Sequence, residues 1–293
     1  MTAAPVSGTL APTPILGSLS PSRAADFKSC PLLYRFRSVD RLPERPGPAA
    51  ARGTLVHAVL ERLFDLPAGQ RSPAAAAALL EPEWARLLAA EPSLGGLFDT
   101  PEELASWLSS AHDLLAGYFI LEDPDRLDPA EREQLVEVVT GSGLRLRGFV
   151  DRLDVAPSGE IRVVDYKTGA APREAFEGKA LFQLKFYALV IWHTRGVVPR
   201  LLRLLYLGDR EVLDYVPDAD ELRRFERTLE ALWAAIDRAT ALRDFRPNPG
   251  RLCDWCDHHA FCPAKGGTLP PYPEVPPAPA TDAEPALGPA ADD

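Results

Sequence analysis

The hydrophobic pattern of this chain first changes period near residue 130. From Ser20 to about residue 130, apolar side chains recur every three or four positions, the spacing of a helix face. Ser20, Pro21 and Ser22 read as a helix start with Ser20 as N-cap. That helix covers SRAADFKSCPLLYRF and bends at Cys30-Pro31. After a Pro-rich break over 41–50, RGTLVHAVLERLFDL puts Leu55, Val59, Leu63 and Leu66 on one stripe. His57 and Glu61, four apart, share another face. Residues 67–130 alternate Pro and Gly breaks with helical pieces such as PEELASWLSSAHDLLAGYFI, and are expected to form a helical cap or arch beside the core.

From residue 133 the period becomes two. EQLVEVVT, LRLRGFVDRLDVA and EIRVVDY have the alternation and β-branched content of strands. The PSG at 157–159 closes a tight hairpin turn between the last two. A helix is expected over about 175–194, then strands LLRLLYL and EVLDYV around GDR, then an amphipathic helix over 218–241. Residues 1–17 read as a flexible leader, and the Pro- and Ala-rich acidic stretch 264–293 as a disordered tail.

Composition adds bounds to this pattern. With 46% hydrophobic residues among 293, a packed core is expected. No apolar run is long enough to span a bilayer. The N-terminus has no early Lys or Arg and no compact apolar run, so the expected compartment is the cytoplasm and no membrane partner is expected. A net charge of −10 argues against a protein that coats nucleic acid, although an enzyme needs only a local basic lining.

The chemistry concentrates in GFVDRLDVAPSGEIRVVDYKTG. A hairpin through Pro157-Ser158-Gly159 can bring Asp151 and Asp165 to one edge of a sheet. Two carboxylates suit Mg2+ or Mn2+ and leave positions for water and phosphate. Lys167 points to the same face as Asp165 and can meet charge that develops on phosphate. The four cysteines form a second group: Cys253, Cys256 and Cys262 cluster, and Cys30 lies far upstream. Such clustering in a cytosolic chain points to a bound metal or cluster, a clasp between the two ends of the chain.

Gly148-Phe149-Val150-Asp151-Arg152-Leu153-Asp154 followed by Val164-Asp165-Tyr166-Lys167-Thr168-Gly169 resembles the core of the RecB-family exonucleases, within the PD-(D/E)XK nuclease superfamily. RGTLVHAVLE around His57 is similar to that family's histidine motif, and QLKFY to its glutamine–tyrosine motif. The resemblance spans 18–263 and implies an α/β fold, a mixed central sheet flanked by helices, in one nuclease domain. It implies that Asp151, Asp165, His57 and the Tyr166 carbonyl face the metal and that Lys167 is the catalytic lysine. Glu137 stands where relatives carry a glutamate, with Glu133 a less favoured substitute. Gln183 and Tyr187 would organise the site or contact DNA. The cysteine layout is similar to the iron–sulfur branch, which includes AddB nuclease domains and CRISPR-associated exonucleases. It implies a [4Fe–4S] cluster on Cys30, Cys253, Cys256 and Cys262. Zinc is the alternative, with His258 or His259 replacing a cysteine. The implied activity is cleavage of DNA at single-stranded ends in repair or recombination, with an idle DNA-end-binding module and an RNA or nucleotide phosphodiesterase as alternatives. Arg35, Arg37 and Arg152 are candidate phosphate contacts. The chain has no phosphate loop of the form GxxxxGK[ST], so unwinding would fall to a separate helicase or repair factor.

Overall fold

In the computed structural model, residues 17–171 and 177–273 are described. Helices α1 (Pro21–Ser29), α2 (Pro31–Tyr34), α3 (Pro48–Leu63), α4 (Pro73–Ala90) and α5 (Pro101–Leu121) come first. They are followed by β1 (Glu131–Val139), β2 (Arg145–Val155), β3 (Ile161–Lys167), α6 (Glu177–Arg195), β4 (Leu201–Tyr206), β5 (Glu211–Tyr215) and α7 (Ala219–Leu242). The helix starts are written locally. Ser20, Ser72, Thr100 and Asp218 each accept a backbone N–H of the first turn, and Pro follows directly after the first three. Cys30 is extended (φ −157°, ψ 110°) and separates α1 from α2, which makes the bend expected at Cys30-Pro31.

The five strands form one sheet in the order β1-β2-β3-β4-β5. Only β3 and β4 run parallel, with α6 as their crossover; the other pairs are antiparallel. Alternate residues feed two cores. Val163, Leu202, Leu204 and Tyr206 pack with α1, α6 and α7. Val164, Tyr166, Leu205 and Leu207 pack with α3, α4 and α5. The fold is therefore α/β, a mixed sheet with helices on both faces. The helices of 67–130 belong to the second covering layer. Gly117 of α5 marks how close that layer comes, since a Cβ there would lie 2.0 Å from the Leu207 carbonyl oxygen.

The sheet has a notch. In the β1–β2 ladder, Arg132 pairs with Arg152 and Gln134 with Val150, while Glu133 and Asp151 between them are left out. Glu133 takes a left-handed backbone (φ 43°), which for a non-glycine residue stores strain. The β2–β3 pairing covers only Arg152 to Val155 of β2. Beyond it β3 continues alongside β4 as far as Lys167. The two strands thus part at the level of Asp151 and Asp165.

Past residue 263 the chain remains packed for ten residues. The Pro270 carbonyl accepts a hydrogen bond from Arg35 at 2.7 Å, and Tyr272 stacks on Phe245 with ring centroids 6.4 Å apart. Residues 1–16 of the expected leader and 274–293 of the expected tail lie outside the described residues. Among the described residues no helix is long and apolar enough to cross a membrane.

Candidate active site

The notch leaves the Tyr166 N–H of β3 without a strand partner, and a side chain takes that role. Asp151 Oδ2 accepts it at 2.6 Å. The other Asp151 oxygen lies 3.5 Å from His57 Nδ1, and Glu133 Oε1 stands at the same distance from that nitrogen. His57 Nε2 sits 2.9 Å from the Tyr166 carbonyl oxygen. Helix α3 and strands β1 and β2 thereby bring His57, Glu133 and Asp151 close enough to share one metal ion.

The second half of the site lies under α6. Lys167 Nζ is 2.7 Å from Asp165 Oδ2 and donates to Gln183 Oε1 at 2.9 Å. The Gln183 amide nitrogen donates to Asp165 Oδ1 at 3.1 Å and to the Tyr187 hydroxyl at 3.2 Å. One glutamine therefore fixes both members of the Asp–Lys pair. Asp165 Oδ2 is buried, and the Lys167 ammonium is its partner. The carboxylates of Glu133 and Asp151 beside the His57 imidazole, with Asp165 near by, fit a divalent cation that takes mainly oxygen ligands.

Charges here are strongly perturbed. Burial opposes a charge on His57, yet Asp151 and Glu133 outweigh it and lift its pKa well above the ordinary value. Burial likewise opposes ionisation of Asp151, but His57, Lys167 and the Tyr166 N–H hold its pKa below the usual carboxylate range. Asp165 goes the other way. Burial, with Asp151 beside it, pushes it up to about 6 despite Lys167. Burial and the Asp151 charge also raise Glu133.

The sequence pattern of the PD-(D/E)XK nuclease superfamily matches residues 18–263. The chain belongs to this superfamily. A curated relative is the Gene 69 protein of Mycobacterium phage D29, 25% identical over 273 residues, covering 83% of this chain and 96% of that protein. The Gene 69 protein of Mycobacterium phage L5 is 31% identical over 124 residues, which is 41% of this chain and 40% of that protein. A solved structure of a putative exonuclease from Eubacterium rectale superposes with a TM-score of 0.52 at 14% identity, covering 83% of this chain and 88% of that one; at this identity it bears on the fold alone.

Most expected site positions of this PD-(D/E)XK chain meet at the notch: His57, Asp151, Asp165, the Tyr166 backbone, Lys167, Gln183 and Tyr187. Glu137 does not. It is exposed and pairs with Arg145 at 3.4 Å, and Glu133 is the glutamate beside His57. The two glutamates are four residues apart on one strand, so alternation gives both the same face and cannot choose between them. The hairpin register chooses, by setting Glu133 level with Asp151.

The expected phosphate-binding arginines are also elsewhere engaged. Arg152 is fully buried among Glu122, Asp154 and Tyr166. Arg35 is buried against Asp40, and Arg37 is held by Asp26 and Glu44. Arg35 and Arg152 are thus buried on carboxylates, while Arg37 is exposed but paired.

The two ends of the chain do meet. Cys30 Sγ accepts the Asn248 N–H and Cys253 Sγ the Gly250 N–H, each at 3.3 Å. Burial raises the Cys256 thiol pKa, and the nearby His258 N–H works against that rise. His258 is buried on the Phe36 ring, and its Nε2 lies 2.8 Å from Glu44. His259 Nε2 contacts the Cys253 carbonyl. Among the described residues, no three cysteine sulfurs lie within 4.8 Å of one another. Tetrahedral zinc would hold its thiolates closer, about 3.8 Å apart for Zn–S bonds of about 2.3 Å. The segment around Cys30 therefore meets the segment around 248–261, but the described cysteines do not gather into a ligand set of that size. Backbone N–H groups aimed at sulfur are the kind of contact that tunes iron–sulfur ligands.

Proposed function

We propose that this PD-(D/E)XK protein is a metal-dependent DNA exonuclease of the RecB type. It hydrolyses phosphodiester bonds at single-stranded ends and serves DNA repair or recombination in the cytoplasm. The observation that carries this reading is the convergence of His57, Glu133, Asp151, Asp165 and Lys167 on one notch of the sheet. Mg2+ or Mn2+ would be held by His57, Glu133, Asp151 and Asp165, with the Tyr166 carbonyl at hand. When bound, such an ion polarises a phosphate and lowers the pKa of an attacking water.

The chain's own groups do the rest. Lys167, fixed by Gln183 and Asp165, orients the water or meets negative charge growing on the phosphate oxygens. Gln183, steadied by Tyr187, keeps the Asp165 carboxylate and the Lys167 ammonium in register. His57 ligates only as the neutral ring, so metal uptake at this site releases its proton. At the clasp, Cys30, Cys253, Cys256 and Cys262 would carry a structural [4Fe–4S] cluster, supported by their spacing and by the N–H groups on two of the sulfurs. Unwinding would come from a separate helicase or repair factor.

The test is cleavage of end-labelled single-stranded DNA, duplex DNA and RNA with Mn2+ or Mg2+, using anaerobically purified protein. Wild type is expected to degrade single-stranded DNA from an end. Lys167→Ala should bind the same DNA and cut it at least about 100-fold more slowly. A wild-type protein that carries its full metal complement and cuts none of these substrates would refute the enzyme. Zinc without iron and sulfide in the purified protein would refute the cluster.

A further inference from the structure

Behind the notch, on the α3–α5 face of the sheet, lies the largest fully buried side chain, Arg152. Every N–H of its guanidinium is used. Nε donates to Asp154 at 3.1 Å, Nη1 to Glu122 at 2.7 Å and to the Tyr166 hydroxyl at 2.9 Å, and Nη2 to Glu122 at 3.1 Å and Asp154 at 3.3 Å. Arg162 adds a second cation on Asp154 at 2.8 Å, so two arginines balance two carboxylates. A buried charge is tolerable when it is paired and fully hydrogen-bonded, and this one is.

The Tyr166 hydroxyl is the group on β3 to which Arg152 itself donates, and Tyr166 is also the junction of the site. Its N–H holds Asp151 and its carbonyl faces His57 Nε2. Its ring meets the His57 ring edge-on, with centroids 5.8 Å apart and planes at 89°. Fixing the tyrosine side chain therefore fixes two candidate ligands from one point.

We propose that Arg152 is a positioning residue for the metal centre: acting through the Tyr166 hydroxyl, it holds His57 and Asp151 in ligating register. Glu122, at the end of α5, completes the grip and ties the helical layer to the site. The inference rests on the nuclease reading above, and its test separates the two.

The experiment is Mn2+ titration by calorimetry on metal-stripped protein, with urea unfolding of the same samples. Tyr166→Phe keeps the ring and loses only the hydroxyl. It is expected to stay folded and to bind Mn2+ about 10–100-fold more weakly, the range for partners standing behind metal ligands. Arg152→Lys should weaken Mn2+ binding similarly, and the double variant should bind no worse than the weaker single one. Arg162→Gln, which pairs with Asp154 and stands 4.0 Å from Glu122 but does not touch Tyr166, should lose stability and weaken Mn2+ binding less than Tyr166→Phe does. Wild-type Mn2+ affinity in folded Tyr166→Phe would overturn the positioning role and leave the nuclease reading standing. Additive losses in the double variant would overturn it too. If Arg152→Lys fails to fold, Tyr166→Phe decides alone. A wild type that binds no Mn2+ would overturn both readings.

Discussion

Gly148→Ala is the smallest change that should reach the site through packing. Gly148 sits on β2 beneath Tyr187, and a Cβ there would lie 2.9 Å from Tyr187 Cε1. Ordinary contact begins near 3.4 Å, so the ring must retreat by about 0.5 Å. It has little room, because Tyr187 is 6% exposed and its α6 neighbours Leu184, Phe186 and Ala188 are fully buried. Overpacking of this kind costs about 1–3 kcal/mol. Loss of glycine's freedom in the unfolded chain offsets about 0.4–1 kcal/mol of that. The net expectation is a destabilisation of about 1–2 kcal/mol by urea unfolding. The catalytic effect follows from the hydroxyl. Tyr187 and Gln183 are 3.2 Å apart, and a shift of this size carries them beyond hydrogen-bonding range. Gln183 then loosens its hold on Asp165 and Lys167. Since a misplacement of about 1 Å costs about 100-fold in rate, half of that should cost about tenfold. Gly117→Ala is the control. Its Cβ meets backbone, at 2.0 Å from the Leu207 oxygen, so it should cost more stability than Gly148→Ala and leave the Tyr187–Gln183 contact in place. Gly148→Ala protein with wild-type stability and rate would refute the wedge between Gly148, Tyr187 and Gln183.

Other expectations concern titration and the clasp. Burial makes folded Asp165 keep its proton up to about pH 6, against 3.8 for the free side chain. In EDTA its contribution to stability is therefore full below about pH 4 and is lost as pH rises to about 6. The stability of wild type relative to Asp165→Asn, measured by urea unfolding, should fall across that window and level off above it; a flat difference would refute the raised pKa. His258→Ala should destabilise the clasp by about 2–4 kcal/mol, the scale for deleting a buried ring. Hydrogen exchange should then accelerate over residues 29–44 and 250–262 and stay slow in β3; uniform protection would refute a separate clasp.

How much of this was legible in the sequence depends on range. Asp165 and Lys167 are two apart on a strand and Gln183 and Tyr187 four apart on a helix, so local periodicity put each pair on one face. The pairs meet as that reading expected. Glu133 was legible only as the less favoured substitute for Glu137, because its place depends on an interruption of the β1–β2 ladder and on a left-handed backbone. Arg152 was misleading. It was expected as a phosphate contact, but its deciding partner, Glu122, lies thirty residues upstream on another layer. The spacing of cysteines pointed to the segments around Cys30 and 253–262. It did not show how they meet, since the His258–Glu44 contact spans 214 residues.

The charges of the notch suggest why a divalent cation suits it. Glu133, Asp151 and Asp165 bring three negative charges when ionised, and His57 and Lys167 bring two positive ones when protonated. The centre then carries one net negative charge, which only a small part of the sheet must bear. Loss of the His57 proton takes it to two, the charge that a divalent cation neutralises. A monovalent ion would leave one carboxylate charge buried without compensation, and a neutral ligand would leave both. The elevated His57 pKa acts on the same balance. It keeps the notch close to neutral until a metal competes with the proton, so the parted strands can hold three carboxylates without being driven further apart.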